Sequence, residues 1–140
     1  MKRIILTALV SLAVALPSSS IAQDLFARVQ TAADQDDVYF IAQLKVDDME
    51  AFQSEYVPGT AALLGATSAL VLAVSPAPMV VEGTWDSNWT VLMRFENQAD
   101  FDEFYKDGTY QEQFIPIRTR AASINNVVIL PAFDPAVFGG

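Results

Sequence analysis

From Val38 onward the chain alternates. Val38, Phe40, Ala42, Leu44 and Val46 are apolar, while Tyr39, Ile41, Gln43 and Lys45 between them are mixed. A period of two with one wholly apolar face predicts a strand between two unlike surroundings. Asp47 is the expected helix cap, with Glu50 three residues on in a variant of the capping box. Met49, Phe52 and Tyr56 follow at helical spacing. Pro58 and Gly59 are expected to kink or interrupt that helix before Ala61–Leu64 continues it, and Gly65 is a natural stop. Ser68 to Val74 is a second apolar run, broken by Ser75-Pro76-Ala77-Pro78 and resumed at Met79–Trp85. That pattern predicts one bent strand, or two short ones around a proline bulge. Asp86-Ser87-Asn88 reads as the turn, and Trp89–Phe95 as the returning antiparallel strand. Asn97 caps a helix with Phe101, Phe104 and Tyr105 on one face. Gly108 interrupts it, Tyr110 to Ala122 is a second helical piece, and Ile124–Leu130 a last strand.

The order β-α-β-β-α-β predicts an α+β fold: a ferredoxin-like sandwich, with an antiparallel four-stranded sheet carrying its helices on one face. The other face, with Tyr39, Ile41 and Leu92, is too apolar to stay in water. A homodimer in which two such sheets face each other, a dimeric α/β barrel, is the economical solution.

The ends add a compartment. Lys2 and Arg3, the apolar run Ile4 to Leu16, and the small residues around Ser20-Ile21-Ala22 form a secretory signal cleaved after Ala22. The run is shorter than the ~20 residues that cross a bilayer, so no stable membrane insertion is expected once it is removed. The domain organisation is then signal peptide 1–22, N-terminal arm 23–37, folded domain 38–131 and C-terminal tail 132–140. In the arm, Asp34-Gln35-Asp36-Asp37 reads as a solvated linker. The protein is expected to be exported, periplasmic or secreted.

Eight basic and 17 acidic side chains give a net charge of −9, and loss of the two leader cations takes it to −11. Nucleic acid is therefore excluded as a partner, because phosphate binding needs cations. There is no Cys and no His. Disulfides, imidazole acid–base chemistry, cysteine nucleophiles and His/Cys metal sites are all excluded, and no metal or cofactor is implied.

Candidate chemistry comes from pairing. If the three-residue turn sets Trp85 opposite Trp89, Glu82 lies opposite Leu92 with Arg94 one diagonal step away. Glu82 and Arg94, with Gln43 and Tyr39 from the first strand, then form a polar grip for a small ligand in the inter-sheet cleft. The plainer alternative is an interface ion pair that fixes dimer register. Trp85 and Trp89 are expected to stack across the hairpin. Tyr105 and Tyr110 are surface or core-edge positions able to aim a hydroxyl at the cleft. Asp100, Asp102, Glu103 and Asp107 read as a solvated helix face. Asn88-Trp89-Thr90 matches a glycosylation sequon.

Tyr39-Phe40-Ile41-Ala42, Glu82-Gly83-Thr84-Trp85, and Phe104-Tyr105-Lys106-Asp107-Gly108-Thr109-Tyr110-Gln111 followed by Arg118 together resemble the domain-of-unknown-function family numbered 1330. The resemblance spans roughly Val38 to Pro131 and implies the dimeric α/β-barrel, ferredoxin-like fold. It also implies that Glu82, Tyr110 and Arg118 occupy the family's recurrent polar positions. The chain departs from the pattern at Gly65-Ala66, at Ser75–Pro78 and at Asp107-Gly108. Relatives in the wider group include cofactor-independent monooxygenases and lactone isomerases.

Three functions stay open. The first is a small partly apolar ligand held at Glu82, Arg94, Tyr39, Gln43, Tyr110 and Arg118. The second is a cofactor-independent enzyme using Glu82 as acid or base, with Arg94 or Arg118 steadying an anion. The third is a structural or protein-interaction module.

Overall fold

The computed structural model describes residues 36–134. The expected signal peptide, most of the expected arm and the end of the expected tail lie outside the described residues. Within them, β1 (Val38–Val46), β2 (Leu70–Ser75), β3 (Trp89–Phe95) and β4 (Ala122–Pro131) form one sheet in the order β2-β3-β1-β4. All three pairings are antiparallel. This is the α+β, ferredoxin-like arrangement, with three helical segments beside the sheet. No helix among the described residues is long and apolar enough to cross a membrane.

The alternation in β1 does what its period requires. Val38, Phe40, Ala42, Leu44 and Val46 are buried, and the residues between them are half-buried. Met93 and Phe95 of β3 join the same buried face. Tyr39 lies opposite both Arg94 and Leu130, and Ile41 opposite Leu92 and Val128, on the outer face.

The first helical segment, α1, runs over residues 49–64 without a break. Asp48, not Asp47, caps it, its carboxylate accepting from Ala51 N–H at 3.0 Å. Pro58 does not interrupt the helix. Instead Phe52–Tyr56 widens into a π-turn, in which Val57 N–H donates to Phe52 O five residues back. A proline ring presses on the carbonyl four residues earlier, here Ser54, and the wider turn relieves that contact. The same solution recurs in α3, residues 110–121, where the π-turn Tyr110–Phe114 precedes Pro116. Between them, α2 (Gln98–Tyr105) is capped as expected by Asn97, whose side chain accepts from Asp100 N–H at 2.9 Å. Phe101 and Phe104 carry the buried face of α2. On its other side Asp102 pairs with Lys106, while Asp107 accepts from Tyr110 N–H at 2.9 Å and so starts α3.

Gly59 lets α1 and α3 approach closely. A Cβ there would stand 2.0 Å from the Phe114 ring.

The expected strand at Met79–Trp85 does not form. Residues 76–88 are irregular, and β2 ends at Ser75. The partner of β3 is the earlier run: Ala73 lies opposite Leu92, Ser75 opposite Thr90 and Leu70 opposite Arg94, with a register shift between Val71 and Ala73. The prolines at 76 and 78 end the ladder because each lacks an N–H. Trp85 and Trp89 therefore do not stack. Trp85 donates to the Thr90 hydroxyl at 3.1 Å, and Trp89 packs edge-on against Phe52.

Asn88 anchors the end of this segment. Its amide donates to Val46 O at 2.8 Å and accepts from Val46 N–H at 2.7 Å, in place of a strand partner. The sequon asparagine is thus already committed to the backbone of β1.

Candidate functional site

The six residues singled out from the sequence fall into three places. Tyr39, Gln43 and Arg94 share the outer face of the sheet. Arg94 turns to Asp37, with Nη1 3.4 Å from Oδ2. Asp37 is only 1% exposed, so it belongs to the fold rather than to a solvated linker. Gln43 accepts from Asn126 at 3.1 Å. Glu82 stands apart, exposed in the irregular segment. An open concavity runs along residues 78–85, Glu82 included, and is formed by that segment alone. The expected Glu82–Arg94 grip does not form, because the strand that would have placed Glu82 opposite Leu92 is absent. The acid or base role expected of Glu82 called for a place beside Arg94; the side chain stands exposed in the irregular segment instead.

Tyr110 and Arg118 lie on the other side of the sheet, in the helical layer, and they meet. Arg118 Nη1 donates to the Tyr110 hydroxyl at 3.0 Å. The Tyr110 hydroxyl is in turn 3.2 Å from that of Tyr56. Tyr110 is 0% and Arg118 6% exposed. The local fold explains the meeting. Tyr56 closes the π-turn of α1 and Tyr110 opens that of α3, and Gly59 lets the two helices come close enough for the hydroxyls to touch. Tyr110 also packs on the Phe104 ring, with centroids 4.5 Å apart.

The electrostatics of this chain are unusual for an interior. Burial, aided by Tyr56, pushes the Tyr110 phenol well up from its ordinary value, and Arg118 offsets only part of that. Tyr110 therefore stays protonated and serves as a hydrogen-bonding hydroxyl, not as a base. For Arg118, burial works against the charge, but the oxygens of Tyr110, Tyr56 and Tyr105 outweigh it and its pKa is raised. The guanidinium is a buried cation. Among the described residues no carboxylate lies within ion-pair distance of it, and its Nε has no hydrogen-bond partner.

Beside this chain lies a cavity of about 170 Å³ between the sheet and the helices. Small side chains make the room: Ala42 on β1, and Thr60 and Ala61 on α1. Val71 and Val74 of β2 are exposed yet line it, so it opens between β2 and the second half of α1. Among the described residues no charged side chain lines it. Tyr56, Thr60 and Tyr110 are the lining residues that carry a hydroxyl. The Thr60 hydroxyl is buried and has no hydrogen-bond partner among the described residues.

The family described as Domain of unknown function (DUF1330) matches residues 37–133, all but two of the described residues. The chain belongs to the DUF1330 family. Its likeness to solved structures shows the fold alone. A DUF1330 chain of this kind superposes on a protein of unknown function from Rhodopseudomonas palustris, RPA0582, with a TM-score of 0.60 at 14% identity, over 81% of this chain and 95% of that one. The methylated form of RPA0582 gives the same TM-score and identity, with 93% of its chain covered. Comparison with curated proteins finds no match.

Sequence reasoning reached Tyr110 and Arg118 through the family resemblance. Tyr56 stood there only as a helix-spaced position and Thr60 fell between the expected interruption and its continuation, so neither was singled out. Their signal was modest: two hydroxyl-bearing residues four apart, on one helix face, flanking Pro58-Gly59.

Proposed function

We propose that this DUF1330 protein is an exported homodimer that binds a small, partly apolar molecule in the cavity between its helices and its sheet. The observation that carries the reading is that cavity, walled by apolar side chains and ending at the Tyr56–Tyr110–Arg118 chain. A volume of about 170 Å³ is close to the roughly 150 Å³ at which an apolar protein cavity admits one benzene ring. Few polar groups converging on an apolar pocket are the usual mark of a small-molecule site. The site thus moves from the inter-sheet cleft to the opposite face of the sheet.

Export rests on the leader that ends at Ala22. Dimerisation rests on the outer face, where Ile41 and Leu92 lie between the exposed Leu70 on one side and the exposed Val128 and Leu130 on the other. Light scattering on Leu92→Glu should give a monomer where the parent gives a dimer.

Trp89 lines the cavity and is one of two tryptophans, so Trp85→Phe makes it the sole indole reporter. A panel of one-ring and short-chain compounds should include members that change Trp89 emission and raise the melting temperature. Val74→Trp, which plugs the mouth, should abolish both effects. A panel with no such member, or binding untouched by Val74→Trp, would refute the site.

A further inference from the structure

The chemistry lining the cavity specifies more than size. Tyr56 and Tyr110 carry one hydroxyl proton each, and the bond between them uses one. Whichever phenol donates, the other keeps a proton with no protein acceptor among the described residues. Thr60 brings a second unspent hydroxyl, only 8% exposed, one helical turn from Tyr56. Behind Tyr110 stands Arg118, whose buried Nε has no partner and whose charge no carboxylate balances among the described residues. Among the described residues everything left over is a donor or a cation, and no acid lines the cavity. Buried donors left unmade are costly, and a buried cation without a counter-charge more so. The missing complement is an acceptor that carries negative charge.

Resting on the cavity reading above, we infer that the ligand is a small organic oxyanion, one ring or a short chain bearing a phenolate, enolate or carboxylate oxygen, with that oxygen accepting from the Thr60 hydroxyl and from whichever phenol of the Tyr56–Tyr110 pair keeps its proton. The apolar body fills the space among Ala42, Val91 and Met93. Arg118 acts through Tyr110: by donating to the phenol oxygen it polarises the O–H and makes it a stronger donor. It is a positioning residue that never touches the ligand. The field of Arg118 beside an apolar-walled pocket favours the ionised over the neutral form of the same molecule. The site therefore selects on protonation state, not on ring shape alone. The titratable groups facing the oxygen are Tyr56, Tyr110 and Arg118, with Tyr105 behind them; none carries negative charge when protonated.

The test uses 4-nitrophenol, whose phenolate is coloured, and 4-nitroanisole, its methyl ether, which cannot ionise. Both are titrated against the full mature protein carrying Trp85→Phe, by Trp89 emission, and the absorbance of bound nitrophenol is followed with pH. Binding of the phenolate is expected to exceed that of the ether by at least about tenfold. The coloured form should also appear at lower pH when bound than when free. Thr60→Val, which removes the hydroxyl at nearly constant volume, should weaken phenolate binding several-fold and leave the ether unchanged. Arg118→Met should abolish the spectral shift; if that variant fails to fold, Tyr110→Phe makes the same test. Equal binding of phenolate and ether, or a bound phenol that titrates as free phenol does, overturns the oxyanion assignment while leaving the cavity reading intact. Failure of both compounds and of the wider panel overturns the two together.

Discussion

The hydroxyls of Tyr56 and Tyr110 lie 3.2 Å apart, although 54 residues separate them in the chain. Two π-turns set them there, each placed just ahead of a proline. The pair ties the first helical segment to the last and ends the cavity in polar groups. The pair that stabilises the helical layer thus also borders the proposed binding site, and several outcomes can be measured.

Tyr110→Phe takes away the acceptor of Arg118 and strands a charged donor in the interior. The expected loss is about 2–3 kcal/mol in urea unfolding. Tyr56→Phe removes a neutral bond and should cost about 1 kcal/mol. Because the two share that bond, the double variant should lose less than the two single losses combined. Equal, small and additive losses would show that the chain contributes little.

Stability should fall in mild alkali for an identifiable reason. Burial and Tyr56 hold the Tyr110 phenol protonated above its ordinary value of 10.0. A raised pKa in the folded state contributes its full stability below pH 10. Above that, the unfolded chain releases this proton and the folded chain does not, so stability declines as pH rises. The slope approaches about 1.4 kcal/mol per pH unit for one such group. Urea unfolding between about pH 9 and 11 should show it, and Tyr110→Phe should lack that component. The same slope in both proteins would assign it to other groups.

Gly59→Ala places a methyl into the Phe114 ring. Overpacking of this kind costs about 1–3 kcal/mol. Phe114→Leu alone loses some packing, but in its presence Gly59→Ala should become nearly neutral. A simple sum of the two effects would mean that the helices part freely.

Asn88→Asp keeps an acceptor for Val46 N–H but sets a carboxylate against Val46 O, where an amide now donates. A loss of about 1–3 kcal/mol is expected in thermal or urea unfolding. An unchanged midpoint would show that the 76–88 segment is not anchored there.

Glu82→Gln removes an exposed charge without a structural partner to disturb. Its effect on unfolding should stay within about 0.5 kcal/mol, with cavity binding unaltered. A large change in either would restore Glu82 to the site.

The order of elements and the faces of β1 and α2 were legible in the chain, because alternation at period two and repetition at i, i+3 and i+4 are local patterns. Val38 to Val46 and Phe101 with Phe104 declared their buried sides. So did the Asn97 cap, which acts within three residues. The segment after Ser75 was not legible. Met79 to Trp85 is as apolar and β-prone as a strand, and only competition decided that Leu70–Ser75 took the edge of β3. With that choice the Glu82–Arg94 pairing vanished and Arg94 turned to Asp37.

The chain by itself determined the fold class, the sheet's helix-facing side and the absence of imidazole and thiol chemistry, since each follows from residue type or short-range periodicity. It also marked Tyr110 and Arg118. What they do was decided by tertiary structure alone. The prolines at 58 and 116 became widened turns instead of breaks, Gly59 let two helices touch, and a hydroxyl chain formed beside a cavity. Contacts between residues far apart in sequence depend on how helices pack, and no local pattern encodes that distance.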